Sequence, residues 1–500
     1  MDARLDDRSL FGNDAGEDEN EAVLMSYFVD RPDFQDFLNP TTRLQIARAR
    51  KGMGKSALLV RLAHQLRNSD QNPIVLHYVP SALTSVLPRP DTDDPTTLEN
   101  YWQQAICAAI NIELARDIGF ARTDDQITAV ETAELTGFKG RNLLGALITR
   151  LIGKIKVGAL ELKPTPQAAT NHEQLLMRLR EAEHTRRPVW FLFDDIDSEF
   201  RNTSHQKVFI TSFFAAVRSL IRDTEGIYVR ATIRSDVWAA VEKTEHFDKV
   251  IQYVTDIRWS TTEQESILTH RILGYFRRND PEGEIARNWS VSVHAQELMD
   301  QVFKPRMRWG EHGVPAAHVL CILAGGRPRW IAQLCRMAAE KAVREKTPRI
   351  GGHHVKQVMP AFSQQRLADL HREHQHQFGE LKALLESFSG APSRFSTPEL
   401  LTRLNERFVA PLGADKIPRI DGIAYSEALQ LARFLFRMGF MSGKDTRHRD
   451  RGVPQFVQYE NRPDLLDVKT NLDDGLNWEI HPVYRNVLNI QSDQAAAGKR

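Results

Sequence analysis

Short apolar runs and helical stripes alternate along the first 260 residues. Leu44-Gln45-Ile46-Ala47 is a short extended run that leads into a basic, glycine-containing loop. Over Lys55–Arg67 the residues Ala57, Leu58, Leu62 and Leu66 recur at helical spacing, and Leu59 and Ala63 widen the stripe. Residues 73–79 predict a second strand, and 97–116 a helix after a Pro/Asp-rich loop at 89–95. Val189–Phe193 is an unbroken apolar run, as expected of a parallel strand covered on both faces. Helices over 171–184 and 206–222 flank it, with further strands at 227–233 and near 250–258. Strands alternating with helices predict a parallel α/β sheet with right-handed crossovers. Residues 119–170 follow no single period and read as an insertion that decorates this core.

After Trp259 the strand signals stop. Residues 262–345 and 355–388 read as helical, and from 394 a small α+β module is expected: helices at 397–408 and 424–438, a Gly/Arg-rich hairpin at 440–460, then an extended segment. Ser396-Thr-Pro-Glu399 is a capping box with proline in the first turn, and Phe434, Leu435 and Phe440 are expected to seal the module's core. The expected organisation is an acidic flexible segment at 1–24, a sheet core at 25–260, a helical region at 261–365, the C-terminal module at 366–490 and a flexible tail at 491–500.

Composition narrows the function classes. The chain has 500 residues, 41% hydrophobic and 26% charged, a soluble globular balance spread over several domains. Lys plus Arg is 66 against 65 for Asp plus Glu, which excludes a general polyanion-coating protein. Residues 1–22 carry eight acids and two arginines, net −6, so the remainder carries +7 of the total +1. Cys107, Cys321 and Cys335 are scattered with no CxxC pair, which argues against a disulfide framework or a thiolate zinc site. No 18-residue apolar run occurs and the N-terminus is acidic, so a cytoplasmic protein with no membrane partner is expected.

Four elements carry chemistry. In Ala49-Arg-Lys-Gly-Met-Gly-Lys-Ser56, Gly52 and Gly54 let backbone N–H groups curl around phosphates, Lys55 reaches the β/γ oxygens and Ser56 can ligate magnesium. Met53 and Ala57 complete the cradle, and Ala49 stands where glycine is usual. Trp190-Phe-Leu-Phe-Asp-Asp-Ile-Asp197 is an apolar strand ending in acids. There Asp194 would hold magnesium, Asp195 would orient or deprotonate the attacking water, and Asp197 would brace the loop. In Tyr228-Val-Arg-Ala-Thr-Ile-Arg234-Ser-Asp236, Arg234 either faces a γ-phosphate or pairs with Asp236, and Thr232 is the alternative polar contact. Gly325-Gly-Arg-Pro-Arg329 opens a helix, with Arg329 set to report nucleotide state. His371, His374 and His376 lack metal-ligand spacing.

In this order the four elements resemble the AAA+ ATPases and the related STAND ATPases. The chain is also similar to a bacterial family of stand-alone, origin-recognition-like P-loop ATPases. That similarity rests on Leu10-Phe-Gly12 through Ala22, Tyr27-Phe28, Gly52–Ser56, Arg234-Ser-Asp236, Gly326–Arg329, Tyr459–Asp464 and Trp478–Pro482. The resemblance implies an AAA+/STAND-like α/β core, a helical lid and a winged-helix-like C-terminal domain. It implies ATP and Mg2+ as ligands, with Arg234 and Arg329 as sensor arginines. It further implies a homo-oligomer with an effector protein partner, plausible in antiphage defence or signalling. Two rivals stay open: a DNA-binding ATPase that loads a partner through basic residues within 444–451, and a non-hydrolysing, nucleotide-stabilised adaptor.

Overall fold

The computed structural model describes residues 2–14, 16, 18–117, 171–182, 187–242, 244, 247–309, 312–413, 417–425, 427–445, 455–459, 462–466 and 476–491. The expected insertion at 119–170, the basic residues Arg447, His448, Arg449 and Arg451, and the tail at 492–500 lie outside the described residues. Two units divide the chain. One, the sheet unit, comprises Arg31–Arg48 and Leu58–Asp256. The other, the lid-and-wing unit, comprises Met1–Asp30, Ala49–Ala57 and Ile257–Arg500.

Five strands build the sheet unit: β1 (Leu44–Ala49), β2 (Ile74–Tyr78), β3 (Val189–Phe193), β4 (Ile227–Arg234) and β5 (Val254–Asp256). Their order is β2-β3-β4-β1-β5, and the pairs β2–β3, β3–β4 and β1–β5 are parallel. All five residues of β3 are buried, which is why its sequence shows no alternation. The helices Pro95–Asp117 and Ser204–Asp223 cover the sheet through an aromatic cluster of Trp102, Phe193, Phe209 and Phe213, and the Trp102 indole donates to the Phe209 carbonyl at 2.9 Å. One charge sits inside this apolar layer. Arg230 of β4 is wholly buried and donates to the carbonyls of Phe37, Asn39 and Thr42 at 2.6–2.8 Å. Those bonds tie the segment before β1 to the sheet, and burial pushes the guanidinium down to about 9.

In the lid-and-wing unit, the helix Thr261–Asn279 starts at a capping box formed by Ser260 and Glu263. The helices Ala316–Ala324, Pro328–Arg344 and Gly352–His374 follow. A short hairpin, Arg306–Trp309 with His312–Pro315, stands where only helix was expected. Each strand has only four residues, and most of them are exposed, so neither gave an apolar signal.

The C-terminal module has winged-helix topology. Arg394–Ser396, Met441–Asp445 and Leu476–Ile480 form an antiparallel sheet with Leu476–Ile480 in the middle, and Gln455–Val457 adds the wing strand. The helices Thr397–Leu404 and Ala428–Arg437 pack on it. The capping box at Ser396 and Glu399 forms as expected, and Phe434, Leu435 and Phe440 are buried. Trp478 is fully buried and donates to the Thr397 hydroxyl at 3.0 Å.

Two expectations about boundaries are corrected. The division at 365/366 falls inside the single helix Gly352–His374, whose Phe362 and Leu370 belong to one hydrophobic core with Leu334 of the lid and Phe434 of the wing. The segment at 1–24 is not a loose lead-in: Leu10 and Phe11 are buried in that same core. Arginines of the helix Thr261–Asn279 hold its backbone, Arg271 bonding the Phe11 carbonyl and Arg278 the Ser9 carbonyl at 3.0 Å. A composition count sees the acids of this segment but not the two apolar side chains that anchor it.

Candidate functional site

The loop 50–54 links β1 to the helix Lys55–Arg67. Gly52 and Gly54 have φ of 81° and 95°, backbone that a side chain rarely tolerates. A Cβ on Gly52 would also lie 3.2 Å from the Arg329 Cβ, whereas one on Gly54 would meet nothing within 4 Å. Ala49 is the last residue of β1 and is not among the positive-φ residues, so the departure from glycine there carries no strain.

Hydrogen bonding around the loop is one-sided. Three successive carbonyls are taken by residues far along the chain. Lys51 O accepts from Arg327 Nη1 at 3.4 Å, Gly52 O from the Arg329 N–H at 3.3 Å and Met53 O from the Trp259 indole at 2.8 Å. The N–H groups of Gly52, Met53 and Gly54 have no partner among the described residues. Those of Lys55, Ser56 and Ala57 open a helix, where no intrahelical acceptor exists. Such a row of unpartnered donors at a helix N-terminus suits an anion. Lys55 is only 7% exposed, and among the described residues its ammonium group makes one hydrogen bond, a 3.5 Å contact with the Ala49 carbonyl.

Arg329 lies beside Gly52 and opens the helix Pro328–Arg344. Its Nε donates to the Asp14 carbonyl at 2.7 Å. The Asp14 carboxylate is held by Arg336 and by Gln333, the latter at 2.8 Å. Gly16 abuts Ala57: a Cβ there would come within 2.8 Å of the Ala57 Cβ. The acidic N-terminal segment therefore contributes directly to this region of the lid-and-wing unit.

In the sheet unit, Asp194 and Asp195 follow β3, next to the end of β4. Asp194 is 4% exposed. Its Oδ1 accepts from the Thr232 hydroxyl at 2.5 Å and from the Asp195 N–H at 3.0 Å, and Oδ2 takes no hydrogen bond among the described residues. A buried carboxylate with one oxygen left over suits a cation. Asp195 has φ of 50°, a strained conformation for a non-glycine residue, and the Thr232 hydroxyl accepts from its N–H at 3.0 Å. Asp197 braces the strand end, accepting from the Arg234 N–H at 2.5 Å.

The two readings of Arg234 part here. Its guanidinium pairs with Asp236, with Nε to Oδ1 at 3.1 Å, and the hydroxyl that touches both acids belongs to Thr232. The structure thus shows the Asp236 pairing, and Thr232 bonds the two acids. Trp259, Arg327 and Glu373 were not singled out from sequence, because each acts on a backbone group hundreds of positions away.

Glu345, His353 and His354 also converge, with both Nε2 atoms 3.0 Å from Glu345 Oε2. His354 Nδ1 accepts from the Gly351 N–H at 2.9 Å, which puts the neutral ring's proton on Nε2. A metal there would need a doubly deprotonated imidazole, so the cluster is a hydrogen-bonded splice between two helices. The three cysteines are free and buried, and burial pushes their thiols up.

A parallel sheet in this order, with a glycine-shaped loop running from β1 into a helix, is the P-loop NTPase core. No protein-family model and no curated protein matches the chain. Among solved structures the chain is similar to the Walker-type ATPase paby2304 of Pyrococcus abyssi, at 13% identity and a TM-score of 0.39 over 93% of this chain and 96% of that one. It is also similar to the Aeropyrum pernix ORC2 protein in ADPNP–ADP complexes, at 13% identity and a TM-score of 0.38 over 99% of both chains. The Aeropyrum pernix ORC1 protein in complex with DNA matches at 13% identity and a TM-score of 0.34, over 92% and 95%. Among the described residues, no helix is long and apolar enough to cross a membrane.

Proposed function

We propose that the chain is a magnesium-dependent ATP-binding and ATP-hydrolysing switch. The observation that carries this reading is the loop 50–54: the carbonyls of Lys51, Gly52 and Met53 are engaged from outside, while the N–H groups of Gly52, Met53 and Gly54 have no partner among the described residues and the buried Lys55 ammonium has only a 3.5 Å contact. In this reading the N–H groups of Gly52 to Ala57 receive phosphate oxygens and Lys55 bonds the β/γ oxygens. The Ser56 hydroxyl is a candidate ligand for magnesium, which when bound would neutralise charge on the phosphates, and within the sheet unit the spare oxygen of Asp194 is a candidate cation ligand. Asp195 orients the attacking water and accepts its proton, while Thr232 fixes both acids by hydrogen bonds to Asp194 Oδ1 and the Asp195 N–H. Arg329, beside Gly52, reports the state of the loop to the helix that it opens.

Calorimetry with Mg-ATP tests the reading. Lys55→Ala should weaken binding by about 100-fold, because a charge-assisted contact to phosphate is lost from a desolvated site. Wild-type affinity in a folded Lys55→Ala variant would remove the assignment.

A further inference from the structure

We infer that Glu373 is a positioning residue of the phosphate loop: with Arg327 it grips the Lys51 backbone on both sides of its Cα, at the N–H and at the carbonyl, so that the helix Gly352–His374 helps set the loop's shape. The consequence for nucleotide binding rests on the reading above; the consequence for the loop itself does not.

Arg327 Nη1 and Glu373 Oε2 lie 2.9 Å apart, with side chains 4% and 2% exposed. Each has a second partner on the same residue of the loop. Glu373 Oε1 accepts from the Lys51 N–H and Arg327 Nη1 donates to the Lys51 carbonyl, both at 3.4 Å. With an anion on its N–H and a cation on its carbonyl, Lys51 has both of its flanking peptide groups held, and turning either one breaks a bond.

The placement of the two charges does not serve their own helices. Glu373 is in the last turn of Gly352–His374, where the helix dipole disfavours an acid. Arg327 is the N-cap residue of Pro328–Arg344, where the dipole disfavours a cation, and it makes no side-chain cap. Buried ion pairs are also poor stabilisers compared with apolar packing. What this pair supplies is a directed hold on the two peptide groups that meet at Lys51.

The hold is part of a series. Arg50, one residue earlier, donates to the carbonyl of Arg437 at 2.8 Å, at the end of the wing helix Ala428–Arg437. Gly439 has no Cβ where the Arg50 guanidinium passes. Residues 50 and 51 are therefore held from the wing helix and the long helix, and residues 52 and 53 from Arg329 and Trp259. If the gripped loop is the phosphate-binding form, nucleotide and grip favour each other reciprocally.

Arg50 and Lys51 are themselves tryptic sites, so cleavage after them reports loop opening in the nucleotide-free, full-length protein. Glu373→Gln should speed cleavage there about tenfold and, in titrations, weaken Mg-ATP binding about tenfold while leaving kcat at saturation nearly unchanged. Glu373→Asp, which keeps the charge, should recover part of both. Because Gln leaves Arg327 buried without its counter-charge, the double variant Arg327→Met, Glu373→Leu is the fold-safe companion, and it should show the same faster cleavage. Unchanged cleavage after Arg50 and Lys51 in either folded variant would overturn the inference. Faster cleavage in a protein whose wild type binds no ATP would uphold the grip and remove the nucleotide reading instead.

Discussion

The acid edge and the phosphate loop are built on opposite plans. At the acid edge the side chains satisfy one another within about 40 residues: Thr232 with Asp194, Arg234 with Asp236, Asp197 with the Arg234 N–H. The loop residues 51–53 are instead held from far along the chain. Their carbonyls are held by Trp259, Arg327 and Arg329, residues 206 to 277 positions later. A self-bracing edge should keep its geometry whatever the lid does. A loop held from outside should change with its holders. Catalytic and binding defects should therefore separate between the two regions.

The sharpest way to break that separation is Asp195→Asn. If Asp195 accepts the proton of the attacking water, turnover should fall by about 100- to 10,000-fold, with Mg-ATP affinity nearly intact because the shape and the Thr232 contact persist. A phosphate-release assay alongside calorimetry reads both. A parallel fall in affinity would mean that the acid edge and the loop are not independent.

A smaller effect discriminates within the edge. Thr232→Val keeps the volume but removes the hydroxyl that bonds Asp194 and receives the Asp195 N–H. It should cost about tenfold in turnover, roughly one hydrogen bond to a charged group. Arg234→Ala should act mainly on stability, by removing the ion pair with the buried Asp236. Turnover that falls more for Arg234→Ala than for Thr232→Val would return the catalytic role to the arginine.

The same contrast explains what the sequence made legible. The acid edge was readable because its signal is local: five apolar residues, then acids, then a second strand with Thr232 and Arg234 two residues apart. The glycines and Lys55 were readable for the same reason. The Thr232 hydroxyl's bonds to Asp194 and to the Asp195 N–H were not, because they join β4 to residues 37 and 38 positions earlier. The grip of Glu373 and Arg327 left no trace, since its partner is a backbone group that any residue at 51 supplies. The N-terminal acids misled in the other direction: charge density suggested looseness, while Leu10, Phe11 and the arginine-held backbone dock the segment.

The turn behind the loop adds a pH signature to the lid-and-wing unit. Burial, then the nearby Arg485, Arg327 and Arg50, push the His481 imidazole down to about 3, against a hydrogen bond with the Ile322 backbone. The unfolded chain, with an ordinary histidine near 6.5, binds the proton first. This contribution to stability is therefore complete above about pH 6.5 and is lost as pH falls toward 3. Urea midpoints should decline between pH 7 and pH 5, and His481→Asn should flatten part of that decline. An identical pH slope in the variant would assign the loss to other groups.

The finest test lies within the loop and asks whether its outside support reaches individual residues. Gly52 and Gly54 share the left-handed backbone, so alanine at either should cost about 1 kcal/mol in conformational strain. Only at Gly52 does the added Cβ meet a holder, the Arg329 side chain at 3.2 Å, while at Gly54 it enters open space. Gly52→Ala should therefore displace Arg329 and loosen its N–H bond to the Gly52 carbonyl, adding about 1 kcal/mol to the strain. Gly54→Ala should show the strain alone. Chemical denaturation of the nucleotide-free proteins measures the difference without any assumption about ATP. Equal losses would mean that Arg329 yields freely at that contact, and that the lid holds the loop through its carbonyls and not through the shape of its glycines.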